Sequence, residues 1–198
     1  MRKKVVIISA AAFLILSVTF TIWFSIAKES DSVIATVNGE PLYSKQINRV
    51  LKQYDDLSRD EVIEASIDDM LLVQYGKKNG CVVSEDELSV RIHEYKDLNS
   101  YIYSEAIKIY GETDLKKGLE NRIIIEKAKD LYLNSISDTS NLKTISFEEY
   151  LALYKINKDQ LDSDQINLAK EKYVDYQKNS IIKSWLDRLK EGAEIKYF

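Results

Sequence analysis

The residue types that most often carry chemistry are nearly absent from this chain. It has one histidine, His93, and one cysteine, Cys81. A lone His excludes a multi-His metal site. A lone Cys excludes an internal disulfide and any Cys-cluster zinc site. His93 with a Ser and an Asp would be the raw material of a hydrolase triad. No Gly-x-Ser-x-Gly elbow marks a nucleophile, so His93 reads as a surface helix residue. Cys81 follows Gly80 and precedes Val82 and Val83, a setting for buried packing rather than redox sensing. Glu85, Asp86 and Glu87 would suit a cation, but acids in a first helical turn also favour the macrodipole, and that is the preferred reading. No catalytic residue, metal site or cofactor is expected.

The chemistry that remains is contact chemistry. Thirteen Tyr are present. Tyr95, Tyr101, Tyr103, Ile107 and Tyr110 gather in one stretch. They are either core or the lining of a groove for extended polypeptide, since Tyr offers large contact area with few rotors to freeze. Trp185 reads as core.

The elements that must position these residues are mostly helices. Val33-Ile34-Ala35-Thr36-Val37 is a β-branched run. Asn38-Gly39 after it is a hairpin signal, because a type I′ turn needs positive φ at both central residues. Glu40-Pro41-Leu42-Tyr43 makes a short return strand, with Pro41 tolerated at a sheet edge. Ser44 is expected to cap a helix from Lys45, with Ile47, Val50, Leu51 and Tyr54 on one face. Ser58-Arg59-Asp60-Glu61 is a capping box before a helix carrying Val62, Ile63, Ile67, Met70, Leu71 and Val73. Asn79-Gly80 ends that helix through a left-handed cap, and Cys81-Val82-Val83 is a short apolar connector. Ser84-Glu85-Asp86-Glu87 is a second capping box, and Leu88, Ile92 and Tyr95 follow at i, i+4, i+7. Gly111 breaks the Tyr-rich helix, and Thr113 is expected to cap the next, with Leu115, Leu119, Ile123, Ile124, Ile125 and Leu131.

Residues 134–141 read as a linker. Ser146-Phe147-Glu148-Glu149 is a third capping box, before a short helix through Tyr154. Asp162 or Ser163 starts a long last helix with Val174, Ile181, Ile182, Trp185, Leu186 and Leu189, ended by Gly192. Residues 193–198 alternate as a terminal strand with Ile195 and Tyr197 inward. A lone strand leaves its backbone unpaired, so this strand is expected to pair with the Val33 hairpin. The last helix would then return to the first ones, making 33–198 a single interlocked domain.

Composition bounds the partners. There are 28 Lys+Arg against 32 Asp+Glu, a net charge of −4, which argues against a nucleic-acid binder. Val5 to Ala27 contains no charged residue. At about 1.5 Å per residue this helix would reach roughly 34 Å, enough to span a hydrocarbon core of about 30 Å. Arg2, Lys3 and Lys4 precede it, so the N-terminus is expected in the cytoplasm and the C-terminal part outside. Residues 1–28 then form a basic tip and signal-anchor. The alternative is a cleaved signal ending at Ser25-Ile26-Ala27, but its apolar core would usually be shorter. No Cys near the end of the run would carry a lipid. Setting aside the three N-terminal basic residues leaves 25 basic against 32 acidic, so the exported part carries about −7.

Several segments together resemble the SurA/PrsA-type extracytoplasmic chaperones and foldases. Ile34 to Leu42 (IATVNGEPL), then Ser44, resembles their opening. Ser66 to Cys81 (SIDDMLLVQYGKKNGC) resembles their "ID-x-x-LL-x-Q-x-A-K-x-x-G" helix. Val83 to Leu88 (VSEDEL) resembles the start of their next helix, and Tyr110 to Leu115 (YGETDL) their "G-x-T-x-E-x-L" segment. Trp185-Leu186 and Ala193 to Tyr197 resemble their final helix and strand. The likeness touches most of 33–133 and about 174–198.

The chain departs from that pattern where relatives carry a parvulin prolyl-isomerase domain. About 40 residues separate Leu133 from Val174, and His93 lies in the wrong region for the parvulin site. The resemblance therefore implies a chaperone core without an isomerase, and no enzyme. It implies a mainly α fold: a transmembrane helix plus a SurA N-like helical domain with a small sheet made by the N-terminal hairpin and the C-terminal strand. Within it, 33–133 would be the N-terminal core, 134–163 a short replacement for the isomerase insert, and 164–198 the helix and strand that complete the core. The implied partners are unfolded or newly exported polypeptides and the membrane. The implied alternative is a dedicated assembly subunit for one envelope or membrane protein.

Overall fold

A computed structural model describes residues 32–54, 56–136 and 145–198. The expected membrane segment Val5–Ala27 and most of the expected linker lie outside these residues. Among the described residues no helix is long and apolar enough to cross a membrane. The structure is mainly helical with a three-stranded antiparallel sheet.

The hairpin forms as its residues dictate. Strands β1 (Val33–Val37) and β2 (Glu40–Tyr43) flank Asn38 and Gly39, whose φ of 50° and 83° match the positive values a type I′ turn requires. Pro41 lies on the edge strand, opposite Thr36. The last strand, β3 (Ile195–Tyr197), pairs with the other side of β1, giving the order β2-β1-β3. Asn38 fastens this closure. Its N–H donates to the Glu194 carbonyl (2.8 Å), and its side-chain oxygen accepts from the Glu194 N–H (2.9 Å). Its side-chain amide donates to Gln74 (2.8 Å), which in turn donates to the Val37 carbonyl (3.0 Å).

The chain divides into two compact units. Unit 1 runs to Ala128 and includes Ala193–Phe198; unit 2 is Lys129–Gly192. The segment expected to be one domain thus contains both. In unit 1, α1 (Ser44–Leu51) buries Ile47 and Val50. Ser44 is its first residue rather than its cap. The strand runs directly into the helix, and the Gln46 side chain accepts from the Tyr43 N–H (2.9 Å). Helix α2 (Arg59–Lys78) opens on the Ser58–Glu61 box as expected. It ends in a Schellman motif: Gly80 (φ 79°) donates to the Lys77 carbonyl, and Cys81 to that of Gly76. A Cβ on Gly76 would sit 2.7 Å from the Ile124 side chain, so only glycine permits this approach to the long helix that follows.

Helices α3 (Glu85–Leu98), α4 (Ser100–Tyr110) and α5 (Glu112–Ser135) complete the helical run. The second capping box is half made. Ser84 accepts from the Glu87 N–H (3.2 Å), but the Glu87 carboxylate turns to Lys127 (2.6 Å). Thr113 does not cap α5. Gly111, at φ 83°, ends α4 and opens α5 by itself, which places Thr113 inside the first turn. Tyr197 is 59% exposed rather than inward, with its hydroxyl donating to Glu64 (3.1 Å). Ile195 on the same strand is half-buried.

Unit 2 holds α6 (Phe147–Leu153), a short turn at Lys158–Gln160, and α7 (Ser163–Glu191). The Ser146–Glu149 box forms, and Asp162 caps α7 reciprocally with Gln165. Tyr150 lies buried amid Phe147, Tyr154, Tyr173 and Tyr176, with ring centroids 4.9–6.4 Å away. Trp185 is buried, stacked on Tyr132 at 4.2 Å. Leu131 and Val174, expected on apolar faces, are exposed. Their helical neighbours Tyr132 and Tyr173 take the inward contacts instead.

The closure predicts a ranking. Asn38→Ala loses two side-chain hydrogen bonds and strains a left-handed residue, for about 2 kcal/mol. Asn38→Gly loses the bonds without the strain, for about half as much. Chemical denaturation of the two variants measures the order.

Candidate functional site

The Tyr-rich stretch builds one cluster from three helices. Tyr103 and Tyr110 of α4 are buried with Leu115 and Leu119 of α5. Leu88, Ile92 and Tyr95 of α3 pack against them, as do Ala106 and Ile107. The i, i+4, i+7 spacing puts the α3 stripe on one face, and Asn99, extended at φ −162°, turns the chain into α4. Tyr95 meets Tyr103 edge to face, with centroids 5.9 Å apart and planes at 74°. Lys96 stands over the Tyr103 ring at 4.9 Å. Arg49 of α1 stands over Tyr110 at 5.7 Å and pairs with Asp114 at 3.5 Å.

Four of the five candidate residues are therefore brought together: Tyr95, Tyr103, Ile107 and Tyr110. Tyr103 and Tyr110 are buried, and Tyr95 and Ile107 are half-buried. Tyr101 does not join them; it is 71% exposed. Val90, Leu98 and Ile109 are also exposed on α3 and α4. Sequence reasoning missed the partners from α1 and α5. Leu115 and Leu119 were legible as an apolar stripe, but nothing local shows which cluster they join.

Ion pairs tie α3 to α5. Arg91 forks onto Glu126 with contacts of 3.1 and 2.7 Å, and Arg122 adds a 3.1 Å contact. Lys127 bridges the Glu87 carboxylate and the Val82 carbonyl, each at 2.6 Å. Burial pushes the Glu126 carboxyl up, but the hydrogen bonds and charges of Arg91 and Arg122 outweigh it and hold the group below its ordinary range. Burial and the nearby Tyr54 push the Tyr110 phenol up to about 12, with Arg49 and Gln53 offsetting part of this.

The other singled-out residues have plain surroundings. His93 is exposed on α3, beside Asp97 one turn on (3.3 Å). Glu85, Asp86 and Glu87 occupy the first turn of α3. Cys81 is half-buried rather than buried, because its backbone serves the cap of α2 while Val82 beside it turns out to solvent. Among the described residues no group of three metal-capable side chains comes together. In comparison with known proteins, no family model matches the chain and no curated protein matches it.

The buried phenol predicts an alkaline signature. An unfolded Tyr titrates at about 10. A folded pKa raised above this adds stability that is complete below pH 10 and is lost as pH rises toward about 12. Stability measured across this window should fall, and Tyr110→Phe should flatten the fall.

Proposed function

We propose that this chain is a membrane-anchored, extracytoplasmic chaperone-like protein of the SurA/PrsA type that works without catalysis. Val5–Ala27 would anchor it, and its soluble part would bind unfolded or newly exported polypeptides. The observation that carries the reading is the concentration of large apolar side chains on α3 and α4. Tyr95, Tyr103, Ile107 and Tyr110 share one cluster, and Val90, Leu98, Tyr101 and Ile109 are exposed on the same two helices. The hairpin with its returning terminal strand supports it, since the resemblance calls for that sheet. A net charge near −7 outside the membrane segment keeps a loaded complex soluble and favours basic clients. Anchoring raises the local concentration, so modest affinity suffices.

Aggregation suppression by the full chain in lipid nanodiscs tests this, with several unrelated, chemically unfolded clients and light scattering as readout. The expected result is suppression of most clients at near-stoichiometric ratio. Suppression of none would contradict a general chaperone and favour the dedicated assembly subunit, to be sought by crosslinking at the membrane.

A further inference from the structure

We infer that α3 is a displaceable cover, and that the surface beneath it binds an amphipathic helical segment of a client in place of α3. The inference rests on the chaperone reading and names its site. No residue of α3 is buried, whereas α2 and α5 each bury eight. The inward stripe of α3, Leu88, Ile92 and Tyr95, is only half-buried, so α3 itself carries little fully buried apolar surface. What it covers is apolar: Tyr103, Tyr110, Leu115 and Leu119.

Tyr95 and Lys96 also hold to the Tyr103 ring, and the ties of α3 to α5 are charged and partly open to water. Arg91–Glu126 and Glu87–Lys127 are ion pairs whose side chains are each 35–38% exposed, a class in which water and salt compete well. The neighbours keep their own ends when α3 leaves. The Asn99 side chain caps α4 by accepting from the Ile102 N–H (3.0 Å), and Gly80 closes α2.

The occupant is specified by what α3 itself presents. Glu87-Leu88, Arg91-Ile92 and Tyr95 read acid, apolar, two spacers, base, apolar, two spacers, aromatic. A client helix with that pattern would meet the same Lys127 and Glu126 charges and the same apolar floor. The binding-competent state is the open one, so apparent affinity is reduced by the fraction of molecules in which α3 is displaced.

The test uses the full chain, a labelled synthetic peptide with the sequence of residues 84–98, and the double variant Glu87→Gln/Arg91→Gln. The variant's own α3 has lost both clamps while the peptide retains them. Hydrogen exchange across 85–98 should speed up in the variant while α2 and the sheet stay protected. Peptide binding should tighten about three- to fivefold over the unmodified chain. A peptide with its Leu, Ile and Tyr positions changed to Ser should not bind. If the double variant loses protection in the sheet as well, Glu87→Gln alone removes one clamp from α3 while the peptide keeps both, and should give the same two shifts, each smaller. Unchanged peptide affinity despite faster α3 exchange overturns the cover, as does α3 exchange no faster than that of α2. Client suppression without peptide binding leaves the chaperone reading standing and removes the cover. Peptide binding without suppression of any client does the reverse.

Discussion

The pairing of the last strand with the first, fastened by Asn38, is the constraint on which unit 1 depends. One side chain in a left-handed turn bonds the Glu194 backbone and the Gln74 amide, so hairpin, terminal strand and α2 meet at one residue. Neither the hairpin nor a three-residue strand would be stable alone in water. Once β3 must return to β1, the helices between them are held in a closed circuit of chain. Everything from Lys129 to Gly192 becomes an insertion in the sequence of unit 1.

Local chemistry was legible and long-range choice was not. The Asn38-Gly39 turn, the Ser58, Ser146 and Asp162 caps and the Gly80 ending each depend on neighbours within a few residues, and each formed as its residues dictate. Thr113 failed as a cap because a single glycine did the work of both helix ends. The destination of Glu87 was unreadable because Lys127 stands 40 residues away in sequence and competes with the local backbone. The tyrosines show the same limit. Tyr101 and Tyr103 are two residues apart on one helix, and the face, not the residue type, decides that one is exposed and the other buried.

Among the described α-helices, the one that carries the apolar stripe over the Tyr cluster is the one with no buried residue, and its hold comes largely from side chains in partial contact with water. Hydrophobic burial is strongest in α2 and α5, where a glycine at position 76 allows near contact with Ile124. A firm framework bearing a weakly held amphipathic helix has the physical properties an adaptable polypeptide-binding surface requires. The surface that the proposed opening would uncover combines two Tyr with two Leu, contacts that do not depend on a single partner sequence.

The most direct test is photo-crosslinking in intact cells, with benzoylphenylalanine placed at position 103 under α3, or at position 101 on the outer surface. The account predicts adducts with exported polypeptides from position 103. Adducts from position 101 with none from position 103 would contradict it, because clients would then touch the outside of the helical pair and never the surface that α3 covers.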